Sequence, residues 1–87
     1  MPNKQIQNKT SERSKMNRTV KREKEIQEME YVYEGCYYIN RYTDLTYNYK
    51  DDCWRIIDWA NNRHSIGYLS KEEACKAYID DTVKWEQ

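Results

Sequence analysis

The side chains best suited to covalent or metal chemistry are few and widely spaced. The chain has one histidine, His64, and three cysteines, Cys36, Cys53 and Cys75. A structural zinc needs four ligands at short spacing, yet Cys53 and Cys75 each stand eleven residues from His64, and no CxxC pair exists. We therefore expect no metal and no cofactor, with the cysteines as small, reduced core residues. A Cys–His nucleophile and base is equally unexpected, because these cysteines should point inward from strand and helix. Adjacent acids recur as Asp51-Asp52, Glu72-Glu73 and Asp80-Asp81. Neighbouring residues point in different directions, so none of these pairs makes a two-carboxylate acid/base site. With Gly35 and Gly67 as its only glycines the chain cannot build a glycine-rich phosphate loop. The expectation is a protein that is not an enzyme.

Binding chemistry is better represented. Nine tyrosines and three tryptophans, with no phenylalanine, are a heavy aromatic load for 87 residues. They fit a stacking platform for single-stranded nucleic acid, a protein interface, or a small core that uses Tyr and Trp in place of Phe. Charge is divided along the chain although it sums to zero. Residues 1–24 carry a net of +6 and residues 25–87 a net of −6. A basic arm on an acidic body commonly meets phosphate or an acidic partner, and it is also how a solubilising tail looks. Lys15, Arg18, Lys21 and Arg22 are the arm's candidate contacts. Asp80 and Asp81 fall near the end of a helix, where the dipole disfavours them, and with Asp58 they make a candidate acidic patch.

The elements that position these residues follow from composition and period. At 38% apolar content the chain supports one domain with a small core. We divide it into a basic arm, 1–24, with its first ten to fifteen residues mobile, and an aromatic-rich body, 25–87. From Ser11 to Glu30 no Gly or Pro interrupts a run of helix formers, and Ile26, Met29 and Tyr33 give its end an apolar stripe. Aromatic and β-branched residues then predict three strands, Cys36 to Thr43, Cys53 to Trp59 and His64 to Leu69. The region Asp44 to Asp52 extends the first two strands or forms a loop. Ala60-Asn61-Asn62-Arg63 reads as a hairpin link, since Asn tolerates positive φ. Ser70 with Glu73 is a capping box, and Cys75, Ile79 and Val83 recur at four-residue spacing, predicting a final helix. The predicted fold is α+β: a three-stranded antiparallel sheet packed on a C-terminal helix, preceded by a basic N-terminal helix and flexible tail.

The stretch from Trp54 to Asp81 resembles the three-strand-plus-helix DNA-binding domains of plant Apetala-type transcription factors and the arm-binding domains of phage integrases. An aromatic residue opening the second strand, Ile57-Asp58 near its end, Ile66-Gly67-Tyr68 in the third, and the helix opening Ser70-Lys71-Glu72-Glu73-Ala74 carry the resemblance. It implies an exposed sheet face lying in the major groove. If Cys53, Ile57 and Trp59 face the helix, alternation turns Trp54, Ile56 and Asp58 outward. The outward face then carries Tyr38, Arg41, Tyr42, Trp54 and Ile56 as candidate contacts, and Arg41, Lys50 and Arg63 are candidate phosphate contacts. In overall organisation the chain is also similar to small phage-encoded proteins, including anti-CRISPR inhibitors of RNA-guided nucleases.

These readings converge on a non-enzymatic accessory protein of a phage or mobile element. Its expected partner is nucleic acid, DNA or RNA, or a nucleoprotein, bound through the arm and the aromatic face. The alternative is an anti-CRISPR-like inhibitor that blocks an RNA-guided nuclease by protein contact or nucleic-acid mimicry, its acidic patch meeting a basic groove. The aromatic face could also pair two copies as a homodimer. No apolar stretch approaches the roughly 18 residues of a membrane span, and the start MPNKQIQNKT lacks an apolar signal core. We therefore expect a cytoplasmic protein, in the host cell if phage-encoded.

Overall fold

A computed structural model describes residues 17–86. The expected mobile first residues, and Lys15 among the candidate contacts, lie outside them. The fold is α+β. Helix α1 occupies 17–27 of the described chain, followed by β1 (Glu30–Tyr33), β2 (Cys36–Asn40), β3 (Thr43–Asn48), β4 (Cys53–Asp58), β5 (Arg63–Ser65), α2 (Lys71–Asp80) and β6 (Trp85–Glu86). The six strands form one antiparallel sheet in the order of the sequence. Among the described residues no helix is long and apolar enough to cross a membrane.

Local chemistry explains most of these boundaries. Arg, Lys, Glu and Gln without Gly or Pro propagate α1, and its last turn tightens where Met29 N–H donates to Ile26 O at 3.3 Å. Tyr33, expected in the helical stripe, belongs instead to β1. The run Tyr31-Val32-Tyr33 is built of strand formers, and Gly35 at φ 82° supplies the left-handed residue that folds it back on β2. Asn40 and Asn48 each accept a backbone N–H two residues on, Tyr42 and Lys50 respectively, both at 2.9 Å, which shapes the next two turns. The predicted Asn turn holds, with Asn62 at φ 51°.

Among the described residues, six strands replace the expected three. The predicted first strand stops at Asn40, and β3, left open between extension and loop, is a full central strand. The predicted third strand is the short β5 followed by a bridge in which Trp54 and Tyr68 exchange two backbone hydrogen bonds of 2.7 Å. Between them the chain passes so close to β4 that a Cβ on Gly67 would lie 2.7 Å from Cys53 Cβ. Glycine is required there by space.

The expected phase of β4 is also reversed. Ile56 is fully buried opposite Leu45, also fully buried, and Trp54 packs against the same core. Trp54 and Ile56 therefore lie on the helix side, and Ile57 and Trp59 on the other. Both phases of Cys53 to Trp59 offer apolar residues, so alternation alone did not choose. Leu45 on β3 and Ser65 on β5, whose Oγ accepts the Ile56 N–H at 2.9 Å, supply the neighbours that make this the inner phase. Across the inner side Tyr31, Tyr37 and Leu45 continue the row to Ile56, with Tyr37 and Trp54 rings 6.3 Å apart.

Helix α2 closes the inner side with Ala74, Cys75 and Ala77 buried, small residues that bring it close to the sheet. Half of the predicted capping box is present as drawn: Ser70 Oγ accepts the Glu73 N–H at 3.1 Å. The helix ends earlier than the Cys75, Ile79, Val83 spacing implied. Asp81 adopts φ 58°, and Asp81 and Thr82 N–H groups donate to Tyr78 and Ala77 carbonyls at 3.2 and 2.9 Å. Val83 still packs on the core from beyond the helix.

Polar bonds join α1 to this assembly. Tyr78 OH donates to Glu25 Oε1 at 2.6 Å and accepts from Asn40 Nδ2 at 3.1 Å, while Asn40 Nδ2 also reaches Glu25 Oε2 at 3.0 Å. Burial of the phenol, reinforced by the bond to Glu25, raises the Tyr78 pKa. Tyr78→Phe leaves Glu25 short of a donor and should lower stability by about 1–2 kcal/mol. Urea denaturation should show a lower midpoint at unchanged slope, and an unaltered midpoint would remove this junction from the account.

Candidate functional site

The candidate residues of the arm separate into two groups. Arg18 and Lys21 are exposed on α1, three residues apart and so on neighbouring positions of its surface. Among the described residues neither makes an ion pair. Arg22 turns inward: its Nη1 donates to the Tyr78 carbonyl at 2.9 Å and to Asp81 Oδ1 at 2.9 Å, and its guanidinium lies 5.2 Å from the centre of the Tyr78 ring. It thus satisfies the C-terminal end of α2, where orphan carbonyls and negative dipole favour a cation.

That contact also explains Asp81, whose position against the helix dipole had no local reason. Arg22 neutralises it across the junction. The arm and the acidic patch are consequently one groove of about 310 Å³ between the helices, lined by Arg18, Thr19, Arg22, Ile79, Asp80 and Asp81. Asp58, the third residue of the patch, works in the β4–β5 turn. Its carboxylate accepts Asn61 N–H at 3.3 Å, Asn61 Nδ2 at 2.9 Å and Arg63 Nε at 3.0 Å. Burial pushes its pKa up, but the bonds from Asn61 and Arg63 outweigh this and hold it below the usual carboxylate range.

The candidate sheet face needs redrawing. Trp54 and Ile56 are covered by α2 and leave it, whereas Tyr38 and Tyr42 are exposed at 47% and 53%. Arg41 is exposed in the β2–β3 turn and Lys50 in the β3–β4 turn, at opposite ends of β3 and so roughly 20 Å apart. Arg63 is bonded to Asp58 and stacked 3.9 Å over the Trp85 ring. The three candidate phosphate contacts do not cluster.

The residues that the open side does present are Tyr33, 63% exposed, and Trp59, 60% exposed, along with Tyr38 and Asp44. Trp59 Nε1 donates to Asp44 Oδ2 at 2.9 Å, which fixes the indole across the sheet. Arg55, the only strand guanidinium on this side among the described residues, is held by Asp51 at 2.6 Å, a bond that lowers the Asp51 pKa. His64 Nε2 lies 3.2 Å from Glu86 Oε2. The alternation Thr43-Asp44-Leu45-Thr46 carried a signal for this side, readable once Leu45 is assigned to the core.

Among the described residues, groups suited to catalysis are not brought together. Cys36 and Cys75 are buried, and burial raises the Cys75 thiol above its ordinary pKa. Among the described residues no three His, Cys, Asp or Glu side chains converge as metal ligands. Compared with known proteins, the chain matches no family model, no curated protein and no solved structure.

The Asp58 turn yields a pH test. A carboxyl whose folded pKa lies below its unfolded value stabilises the fold fully above about pH 4 and loses that contribution as pH falls through the lowered pKa. Asp58→Asn should therefore be less stable than the parent at neutral pH, with the difference shrinking in acid. A constant difference from neutral to acidic pH would show that the carboxylate charge does not matter to the turn.

Proposed function

We propose that this chain is a non-enzymatic binding protein that engages nucleic acid, free or within a nucleoprotein, through the exposed cations of α1. The observation that carries this reading is the contrast in pairing. Arg18 and Lys21 project from α1 without an acidic partner among the described residues, while Arg55, Arg63 and His64 of the sheet each have one. A cation already bonded to a carboxylate contributes little to phosphate binding, and an unpaired one on a helix surface is free to release counterions from a nucleic-acid backbone. Lys15, a neighbour of these residues in the sequence, lies outside the described residues. Arg22 is not one of the exposed cations, because its work is structural.

A phage or mobile-element accessory role, with DNA or RNA as ligand, is the setting in which such an arm makes sense. The inhibitor alternative built on Asp58, Asp80 and Asp81 has less support, since Asp58 and Asp81 are bonded within the chain.

Substituting Arg18→Gln and Lys21→Gln together should weaken binding to short single- or double-stranded DNA and RNA. The slope of log affinity against log salt should become shallower by about two if each cation meets one phosphate. Fluorescence anisotropy at several salt concentrations reads both quantities, and an unchanged slope would remove α1 from the interface. Arg22 stays intact in this experiment so that folding is not confounded with binding.

A further inference from the structure

The register of the sheet lines up one residue from each strand on its open side. Glu30 stands opposite Tyr38, Tyr38 opposite Asp44, Asp44 opposite Ile57, Ile57 opposite His64, and His64 opposite Glu86. Partners in an antiparallel register share a face, so this is a continuous row across all six strands, about 24 Å long at the usual strand spacing. It holds three carboxylates and no lysine or arginine. Beside it the Trp59 ring is pinned over Asp44. At the β1 end Glu28, Glu30 and Tyr38 line a recess of about 340 Å³ with Arg41 also on its wall. Both described helices pack on the other side, which leaves Glu30, Tyr38, His64 and Glu86 exposed and Asp44 and Ile57 half-buried.

The charge pattern selects the occupant. Phosphate is repelled by Glu30 and Asp44, while Glu86 is paired with His64. A second copy laid face to face fares no better: the row ends in glutamate at both sides, so either orientation sets carboxylate against carboxylate. A cationic protein segment meets opposite charge at Glu30 and Asp44, with the Tyr38 ring between them. Arginine fits better than lysine, because its planar guanidinium stacks on Tyr and Trp rings while bonding carboxylates in its own plane.

We propose that the open side of the sheet is a docking surface for an arginine-rich protein segment, with Glu30 and Asp44 as acceptors and Tyr38 and Trp59 as stacking surfaces. The surface uses none of the α1 cations, so it stands or falls apart from nucleic-acid binding.

The test is an NMR titration of the isotope-labelled full chain with an oligo-arginine peptide, and in parallel with oligo-lysine of equal length. Shifts should concentrate on Tyr38, Asp44, Ile57 and the Trp59 indole N–H. Oligo-arginine should bind about tenfold more tightly than oligo-lysine, the size of effect stacking at desolvated rings supplies. The double variant Glu30→Gln, Asp44→Asn should weaken oligo-arginine about tenfold, and Asp44→Asn keeps an acceptor for Trp59. Tyr38→Ala, at a position 47% exposed, should reduce the preference for arginine. Arg18→Gln with Lys21→Gln should leave peptide binding unreduced. Absence of binding at low salt, shifts scattered over Glu72, Glu73 and other acids, or equal affinity for the two peptides in the parent would each overturn the proposal. So would a dimer in sedimentation that buries this side.

Discussion

Tyr78 carries a phenol against the sheet, and a hydroxyl taken out of water has to find partners. It finds them in Glu25 of α1 and Asn40 of β2, which also bond to each other, so one hydroxyl ties both helices to the sheet. Arg22 closes the same junction from outside, spanning the Tyr78 carbonyl, its ring and Asp81. A core containing Ile39, Leu45, Ile56, Ala74 and Cys75 is small, and Ile26 and Met29 of α1 add apolar cover only where this junction sets the helix down. Polar bonds and apolar cover together set the position of α1.

Seating both helices on one side has consequences for the other. A six-stranded sheet covered once leaves a face in water, and antiparallel sheets accommodate this by alternating apolar and polar residues. Here the outward positions hold Tyr38, Asp44, Thr46, Arg55 and Ile57, neither a plain solvated surface nor a second core. Internal pairing then decides which charges are available to anything else. Asp51 holds Arg55, Asp58 holds Arg63 and Asp81 holds Arg22. Among the described residues, Arg18 and Lys21 on α1 and Glu30 and Asp44 on the open sheet side are in no such pair.

Short-range chemistry was legible in the sequence, and partners distant along the chain were not. The Ser70 cap, the Asn62 turn, the span of β4 and the start of α2 rest on interactions within a few residues. The phase of β4 could not be read locally, because Trp54 with Ile56 and Ile57 with Trp59 are equally apolar sets. Leu45 and Ser65 decide it from neighbouring strands. Strand β1 was hidden because Ile26, Met29 and Tyr33 keep helical spacing across a helix that ends after residue 27. Strand β6 has two residues, too short for any periodic signal, and exists because His64 and Ser65 offer it an edge. Among candidate site residues, Arg18, Lys21 and Tyr38 were placed on the surface as expected. Arg22, Asp58 and Asp81 were read as free charges because their partners lie on other elements or across a turn.

A net charge of zero therefore describes this chain poorly. Charges that neutralise one another at 2.6–3.0 Å, as in the three carboxylate–guanidinium pairs, lose most of their reach beyond a few ångströms, and screening in physiological salt shortens it further. What a partner meets is set by the unpaired groups nearest to it. On the readings proposed here those groups are lysine and arginine on a helix, and carboxylates among aromatic rings on a sheet. The two surfaces have opposite preferences, phosphate for one and guanidinium for the other. A nucleoprotein offers both chemistries side by side, since the protein that holds a nucleic acid does so with arginines of its own. The division of charge along the sequence is then a division of labour between surfaces, provided that the junction of Glu25, Asn40 and Tyr78 keeps the helix and the sheet in fixed relation.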